Sequence, residues 1–322
     1  MKIIDELKDA KTIGIGGHVR PDGDCVGSVM GLYLYLKKAL PAVQVDVYLE
    51  KPADIFQCIH DIDKIHSDFS TDIVYDVFLA MDCNAERLGS AEPIFERALK
   101  RINIDHHISN SGCGDINIIE PERSSTCELL YGLLEEDKID EEIAKALYIG
   151  IVHDTGVFQY SNTSPETLKL AAELIKFGFD FPKLIDETFY EKTYVQSQIM
   201  GRAILESIRF MEGKCIVSMV DRKMMDFYQV EPSDLDGIVN QLRIVKGVEC
   251  AIFMYEVKPM EYKVSMRSNG TVDVAEIAMK FGGGGHVRAA GCSMNGTYHD
   301  NINNLAVHIE EQLKEKTSAS AC

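Results

Sequence analysis

Short β-branched runs alternate with helix-spaced apolar stripes through the first half of the chain. Thr12 to Gly16 reads as a strand, an apolar helix follows from about Asp24 to Leu40, and Val43 to Leu49 is the next strand. Val74 to Met81, Arg101 to Ile104 and Asp115 to Ile119 continue the series, with helices expected near Ala53 to Ile59 and Ala85 to Lys100. Buried runs separated by helices predict an α/β fold with a doubly wound parallel sheet. From Thr126 to Ile208 the pattern turns helical, with stripes at Cys127 to Glu136, Glu141 to His153, Pro165 to Phe177, Pro182 to Tyr190 and Tyr194 to Ile208.

A domain boundary is expected near Glu191, dividing the chain into residues 1–190 and 191–322. The second part reads as a hairpin (Arg209 to Val220), a helix (Pro232 to Lys246), a hairpin (Glu249 to Ser268), a helix (Val272 to Phe281), a glycine run, a strand and a last helix, which is a smaller α+β domain. The end, Thr317 to Cys322, is expected to fray.

At 322 residues each part is large enough to bury its own core. The apolar runs are interrupted, as by Lys145 and Gly150 in Ile143 to Val152, and fall short of a membrane span. The N-terminus, with Asp5 and Glu6, lacks the pattern of a signal or transit peptide, so the expected location is the cytosol. Nine scattered Cys without a CxxC pair fit reduced thiols in that compartment. The net charge of −18 argues against a long nucleic-acid duplex as partner, but not against a small anionic substrate.

Candidate chemistry collects at strand ends. After the first strand comes Gly17-His18-Val19-Arg20-Pro21-Asp22-Gly23-Asp24, where an open α/β sheet places its ligand. Asp22 and Asp24, two residues apart, can aim at two different cations; the alternative is an Asp-Gly turn capping the next helix. Asp82 terminates the apolar run Val77 to Met81, and Asp105-His106-His107 terminates Ile102 to Ile104. Three successive strands delivering acids or imidazoles is an arrangement that packing does not demand. Neighbouring His106 and His107 point apart, so one is expected to bind metal and the other to support it or touch substrate. Asp154 closes an apolar helix, where a carboxylate opposes the helix dipole, and that favours a ligand.

His18, His106, Asp22, Asp24, Asp82 and Asp154 amount to two imidazoles and four carboxylates, too many acids to gather without cations. Two divalent ions would take the formal charge from −18 to −14. Mixed His and carboxylate ligation suits Mn²⁺, with Mg²⁺ and Co²⁺ as alternatives, while the absence of Cys from this set argues against structural zinc. A further cluster, Gly282 to Gly285 followed by His286 and Arg288, offers close backbone approach and cationic donors to a phosphate, and Arg267 at a strand end adds a guanidinium.

Taken in order, the His18 to Asp24 loop, the lone Asp82, Asp105-His106-His107, His153-Asp154-Thr155-Gly156 and the glycine run with His286 resemble the DHH phosphoesterases with a C-terminal DHHA1 domain, over essentially the whole chain. In size and layout the chain is most similar to the nanoRNase and pAp phosphatase group, which degrades very short oligonucleotides and dephosphorylates 3′-phosphoadenosine 5′-phosphate (pAp). The resemblance implies metal ligation by His18, Asp22, Asp24, Asp82, His106 and Asp154, with Asp82 bridging. It implies catalytic roles for Asp105 and His107, the latter beside the scissile phosphate. Substrate would be held by Arg267, Gly283, Gly284, Gly285, His286 and Arg288. Arg123 departs from the pattern, preceding Ser124-Ser125-Thr126 where a small or apolar residue is expected.

The expected activity is two-metal hydrolysis of short oligonucleotides of two to five residues, of pAp, or of both. The closest rival is a soluble phosphodiesterase for cyclic di-AMP or linear pApA. A rival of another class is a nucleotide sensor that keeps the metals without turnover. Phe158 and Tyr160 could stack on a base, although core packing is the plainer reading of both.

Overall fold

The computed structural model describes residues 2–319, which divide into two compact units at Glu191/Lys192. In the first unit five parallel strands, β1 (Thr12–Gly16), β2 (Gln44–Tyr48), β3 (Val77–Met81), β4 (Arg101–Asp105) and β5 (Ile116–Ile119), lie in the order β2-β1-β3-β4-β5. The chain winds outward from β1 to β2 and then returns to start β3 on the other side. The loops leaving β1 and β3 therefore diverge and open a crevice at the strands' carboxyl ends. Every residue of β3 is buried, as a central strand covered on both faces requires.

The helix that follows β1, Gly23–Ala39, is buried almost all round from Gly23 to Leu36 and packs against Glu141–Asp154. Glycine permits that approach. A Cβ on Gly27 would stand 2.6 Å from the carbonyl oxygen of Ala146, and one on Gly23 would stand 2.3 Å from the His153 ring. The crossing of these two helices brings both ends of the first unit's chemistry, Asp24 and Asp154, to one place.

Some expected helices are shorter or broken. Ala85 to Lys100 divides into a 3₁₀ segment, Ala85–Ala91, and a short α-helix, Glu92–Glu96, because Gly89 takes φ +56° and breaks the helical path. Ala53 to Ile59 shrinks to the 3₁₀ turn Asp54–Phe56. The start of β3 moves from Val74 to Val77.

The second unit is a six-stranded sheet: β6 (Ile208–Phe210), β7 (Cys215–Val220), β8 (Cys250–Lys258), β9 (Glu261–Ser268), β10 (Gly284–His286) and β11 (Ala289–Asn295), ordered β10-β11-β9-β8-β7-β6. Pairing is antiparallel except between β7 and β8. Alternation along the strands feeds two cores. Cys215, Val217 and Ile252 pack with Leu305 and Ile309 of the long helix Tyr298–Ala319. Ile216, Val220 and Phe253 turn the other way, towards Ile199, Met225 and Leu242. The helix expected over Pro232 to Lys246 splits at Gly237 (φ +89°) into the 3₁₀ turn Pro232–Leu235 and the α-helix Ile238–Arg243. The helix Arg222–Tyr228, capped by Asp221, was not expected. Of the segment expected to fray, Thr317 to Ala319 continue the last helix, whereas Ser320, Ala321 and Cys322 lie outside the described residues.

Among the described residues no helix is long and apolar enough to cross a membrane. The eight described cysteines are all free thiols. The tight crossing of the first unit yields a prediction. Gly27→Ala forces Gly23–Ala39 and Glu141–Asp154 apart and should cost about 1 to 3 kcal/mol in urea unfolding. An unchanged midpoint would show that the two helices have room to separate.

Candidate active site

Six of the expected residues converge at the carboxyl edge of the parallel sheet. Asp82 is their centre. It leaves β3 in the left-handed region (φ +60°) and is 1% exposed, a backbone conformation that Asp tolerates better than most residues. Its Oδ2 faces His18 Nε2 at 3.5 Å, and its Oδ1 faces His106 Nε2 at 3.7 Å. Asp22 Oδ1 lies 3.6 Å from the same nitrogen of His18, while Asp24 Oδ2 and Asp154 Oδ2 lie 3.7 and 3.4 Å from that of His106. The two oxygens of one carboxylate thus look into two donor sets, and Asp22 and Asp24 are shared out between them.

The imidazoles are oriented for ligation. Nδ1 of His18 meets the Val19 carbonyl at 2.9 Å, and Nδ1 of His106 meets the Arg123 carbonyl at 3.2 Å. With Nδ1 engaged by a carbonyl, Nε2 of each ring is turned towards the acids, the orientation that metal-binding histidines share. Asp22 both caps the helix, accepting from the amides of Asp24 and Cys25 at 3.1 Å, and faces His18, so the cap and the ligand readings of this residue are compatible.

Asp24 is 1% exposed and is met by the first turn of the helix Thr126–Leu133. The Thr126 amide donates to its Oδ2 at 2.6 Å and the Cys127 amide to its Oδ1 at 2.9 Å, while Thr126 Oγ1 donates to Asp82 Oδ1 at 2.9 Å. These groups were not expected from the sequence; the Ser124-Ser125-Thr126 run, with Ser125 as the helix cap, is the signal that points to them. Arg123, the departure noted above, is part of this segment. Its carbonyl orients His106, and its guanidinium pairs with Glu120 and Glu128 at 2.8 and 3.4 Å.

A second unexpected element is the amide pair Asn103 and Asn110. Asn103, fully buried on β4, donates to the carbonyls of Ala80 and Cys83 at 3.1 and 2.8 Å and so grips the Asp82 turn from both sides. Asn110 donates to Asn103 and to Asp105 Oδ2. The other oxygen of Asp105 accepts from the His107 amide at 3.0 Å and holds His107 Nδ1 at 2.7 Å. Asp105 is fully buried and serves as the anchor of His107, whose Nδ1 stands 3.6 Å from Asp82. His153 is not drawn into the cluster; its ring packs on Phe56 and Phe189.

The electrostatics record the crowding. Burial, followed by the charges of Asp82 and Asp154, pushes Asp24 well above the carboxylate range. Desolvation in the cleft outweighs the help of His106 and, with Asp82, brings Asp154 up to about 7. Burial would also raise Asp22, but its hydrogen bond and proximity to His18 hold it down to about 2. The bond to Asp105 raises His107. An acid cluster in this condition fits divalent cations, and the donor atoms fall into three mutually close groups: His18, Cys25 and Asp82; Asp82, His106 and His107; and Asp24, His106 and Asp154.

In the second unit, β9 Arg267 pairs with Ala289 of β11, which pairs with His286 of β10, so these three residues form one row across the sheet. Asn240 accepts from Arg267 Nε at 3.1 Å. Arg288 is exposed beside Gly270. Gly283 and Gly285 have a packing reason to be glycine: a Cβ would stand 2.2 Å from the Gly291 carbonyl and 2.5 Å from that of Ala289. Gly284 faces open space. Phe158 packs on Tyr148 and Tyr160 is 41% exposed.

Two family models match the chain, the DHH family N-terminal domain over residues 12–151 and the DHHA1 domain over residues 212–315. A protein of Thermus thermophilus named "Bifunctional oligoribonuclease and PAP phosphatase NrnA" is 32% identical over 305 residues, covering 92% of this chain and 89% of its own. One of the same name from Bacillus subtilis is 27% identical over 312 residues, covering 94% and 95%. The crystal structure of an exopolyphosphatase-related protein from Bacteroides fragilis superposes with a TM-score of 0.88 at 26% identity, covering 96% of this chain and 95% of that one.

Two measurements check this description. In divalent-free buffer, an Asp154 carboxyl raised to about 7 costs stability when ionised, a cost absent below the ordinary range and complete above pH 7. Asp154→Asn should therefore raise Tm at pH 7 and above, the gain vanishing as the pH falls towards 4; an equal gain at both would contradict the electrostatic account. Asn103→Ala should lower divalent-cation affinity roughly 10- to 100-fold by calorimetry. Unchanged affinity would mean that the Asp82 turn holds itself.

Proposed function

The chain belongs to the DHH family and carries its DHHA1 domain, and on that premise we propose that it is a two-metal phosphohydrolase of short oligonucleotides and of pAp. The observation that carries the reading is the Asp82 carboxylate, with one oxygen towards His18 and the other towards His106. His18 and Asp22 would hold one divalent cation, and Asp24, His106 and Asp154 the other, with Asp82 between them. Mn²⁺ is the proposed ion, since imidazole and carboxylate ligands suit it. When bound, such a pair supplies Lewis acidity to the phosphoryl group and acidifies the attacking water.

The chain's own groups do the rest. His107, held at Nδ1 by Asp105, presents its remaining nitrogen away from that anchor, and its raised affinity for a proton suits a donor to a phosphoryl or leaving oxygen. Thr126 Oγ1 and the Thr126 and Cys127 amides hold the Asp82 and Asp24 carboxyls in place by hydrogen bonds. Arg267, His286 and Arg288, with the backbone of Gly283 to Gly285, are the proposed grip on the terminal phosphate or nucleotide. The net charge of −18 supports short substrates over extended polyanions.

The test is product release from pAp, pApA, cyclic di-AMP, pyrophosphate and RNA of graded length in Mn²⁺. Turnover is expected on pAp and on oligomers of about two to five residues, and kcat/KM should fall steeply for a strand of about 50. Comparable values on short and long strands would overturn the substrate assignment. His286→Ala and Arg288→Ala should each leave metal content unchanged and reduce kcat/KM on pAp by roughly 10- to 100-fold. A chromogenic phosphodiester without a nucleotide should lose less; equal loss on both would place these residues at the scissile phosphate.

A further inference from the structure

Cys25 brings a soft donor into a centre otherwise built of nitrogen and oxygen. It occupies the first turn of the helix Gly23–Ala39, is fully buried, and its Sγ lies within 4.8 Å of ligand atoms of both His18 and Asp82. The space for the sulfur is made by Gly17, the residue before His18: a Cβ there would stand 2.3 Å from Sγ. His18 is 3% exposed and Asp82 1%, so all three donors are buried and close together. His18 Nε2 meets Asp22 and Asp82 at 3.6 and 3.5 Å, the separation of ligands gathered round one ion.

We propose that Cys25 is a further ligand of the cation beside His18, and that it makes that position prefer thiophilic divalent ions, Zn²⁺ above Mn²⁺. The inference rests on the reading that this loop holds a cation, and adds to it a ligand and an ion preference. Nitrogen, oxygen and sulfur donors together suit the four-coordinate habit of Zn²⁺, and intrinsic affinity already rises from Mn²⁺ to Zn²⁺. As the sulfur–metal bond forms, the S–H bond breaks and its proton passes to solvent. Zn²⁺ would therefore compete for a position that the hydrolytic reaction shares.

The experiment uses the full chain, stripped of divalent ions and titrated with Co²⁺. Visible d–d absorption reports cation binding, and a near-ultraviolet charge-transfer band reports a sulfur ligand. The parent should show both; Cys25→Ser should keep the d–d absorption and lose the charge-transfer band. Zn²⁺ should displace Mn²⁺ from the parent at a concentration roughly tenfold or more below that needed for the variant. Cys25→Ala, checked for a parent-like cooperative melt, should match the Ser variant and so separates lost ligation from misfolding. A parent with d–d absorption but no charge-transfer band, or a band retained in Cys25→Ser, would overturn the proposal and leave Cys25 as core packing. Absence of both signals would overturn the cation reading on which it rests.

Discussion

Repulsion among four carboxylates gathered at one sheet edge is the constraint that organises the first unit. Asp24 and Asp82 are almost fully buried, with Asp22 and Asp154 close by, and each added negative charge raises the cost of the others. The fold meets part of this cost with oriented backbone. The first amides of the helix Thr126–Leu133 take both oxygens of Asp24, the Asp24 and Cys25 amides take Asp22, and Thr126 Oγ1 takes Asp82. Divalent cations would remove the remainder. The topology brings three of them together, because β1 and β3 are neighbours and are followed by the loop that bears Asp22 and Asp24 and by Asp82.

The helix crossing serves the same end. Gly27 lets Gly23–Ala39 approach the backbone of Glu141–Asp154, and Gly150 leaves the space beside Cys127 and Asp24 that a Cβ would fill, at 2.2 and 2.8 Å. Asp154 comes from the far end of that second helix, more than a hundred residues after Asp22. It is this packing, and not a local motif, that delivers it to His106 at 3.4 Å.

Much of this was legible in the sequence because strand ends are legible. An apolar run that stops at Asp82, or at Asp105-His106-His107, announces both the strand and the direction in which its last side chains leave the sheet. The dipole argument similarly singled out Asp154. Less legible were groups whose contribution depends on distant register: Asn103 reads as an interruption in a β-branched run, yet it clamps the turn around Asp82. The Thr126 and Cys127 amides carry no side-chain signature, and Cys25 reads as an ordinary core thiol. Helix lengths were misjudged at Gly89 and Gly237, where a positive φ ends a stripe whose apolar spacing continues past it. The glycine run illustrates a different limit: composition suggested room for an anion, while two of its members are also required by the close pairing of β10 on β11.

The central claim is that Asp82 joins two cations. Anomalous diffraction from crystals grown with Mn²⁺ tests it most directly. The account predicts two anomalous peaks per chain, about 4 Å apart, one beside His18 and Asp22 and one beside His106, Asp24 and Asp154, with an oxygen of Asp82 turned to each. A single peak at saturating Mn²⁺, or two peaks that Asp82 does not touch, would contradict it.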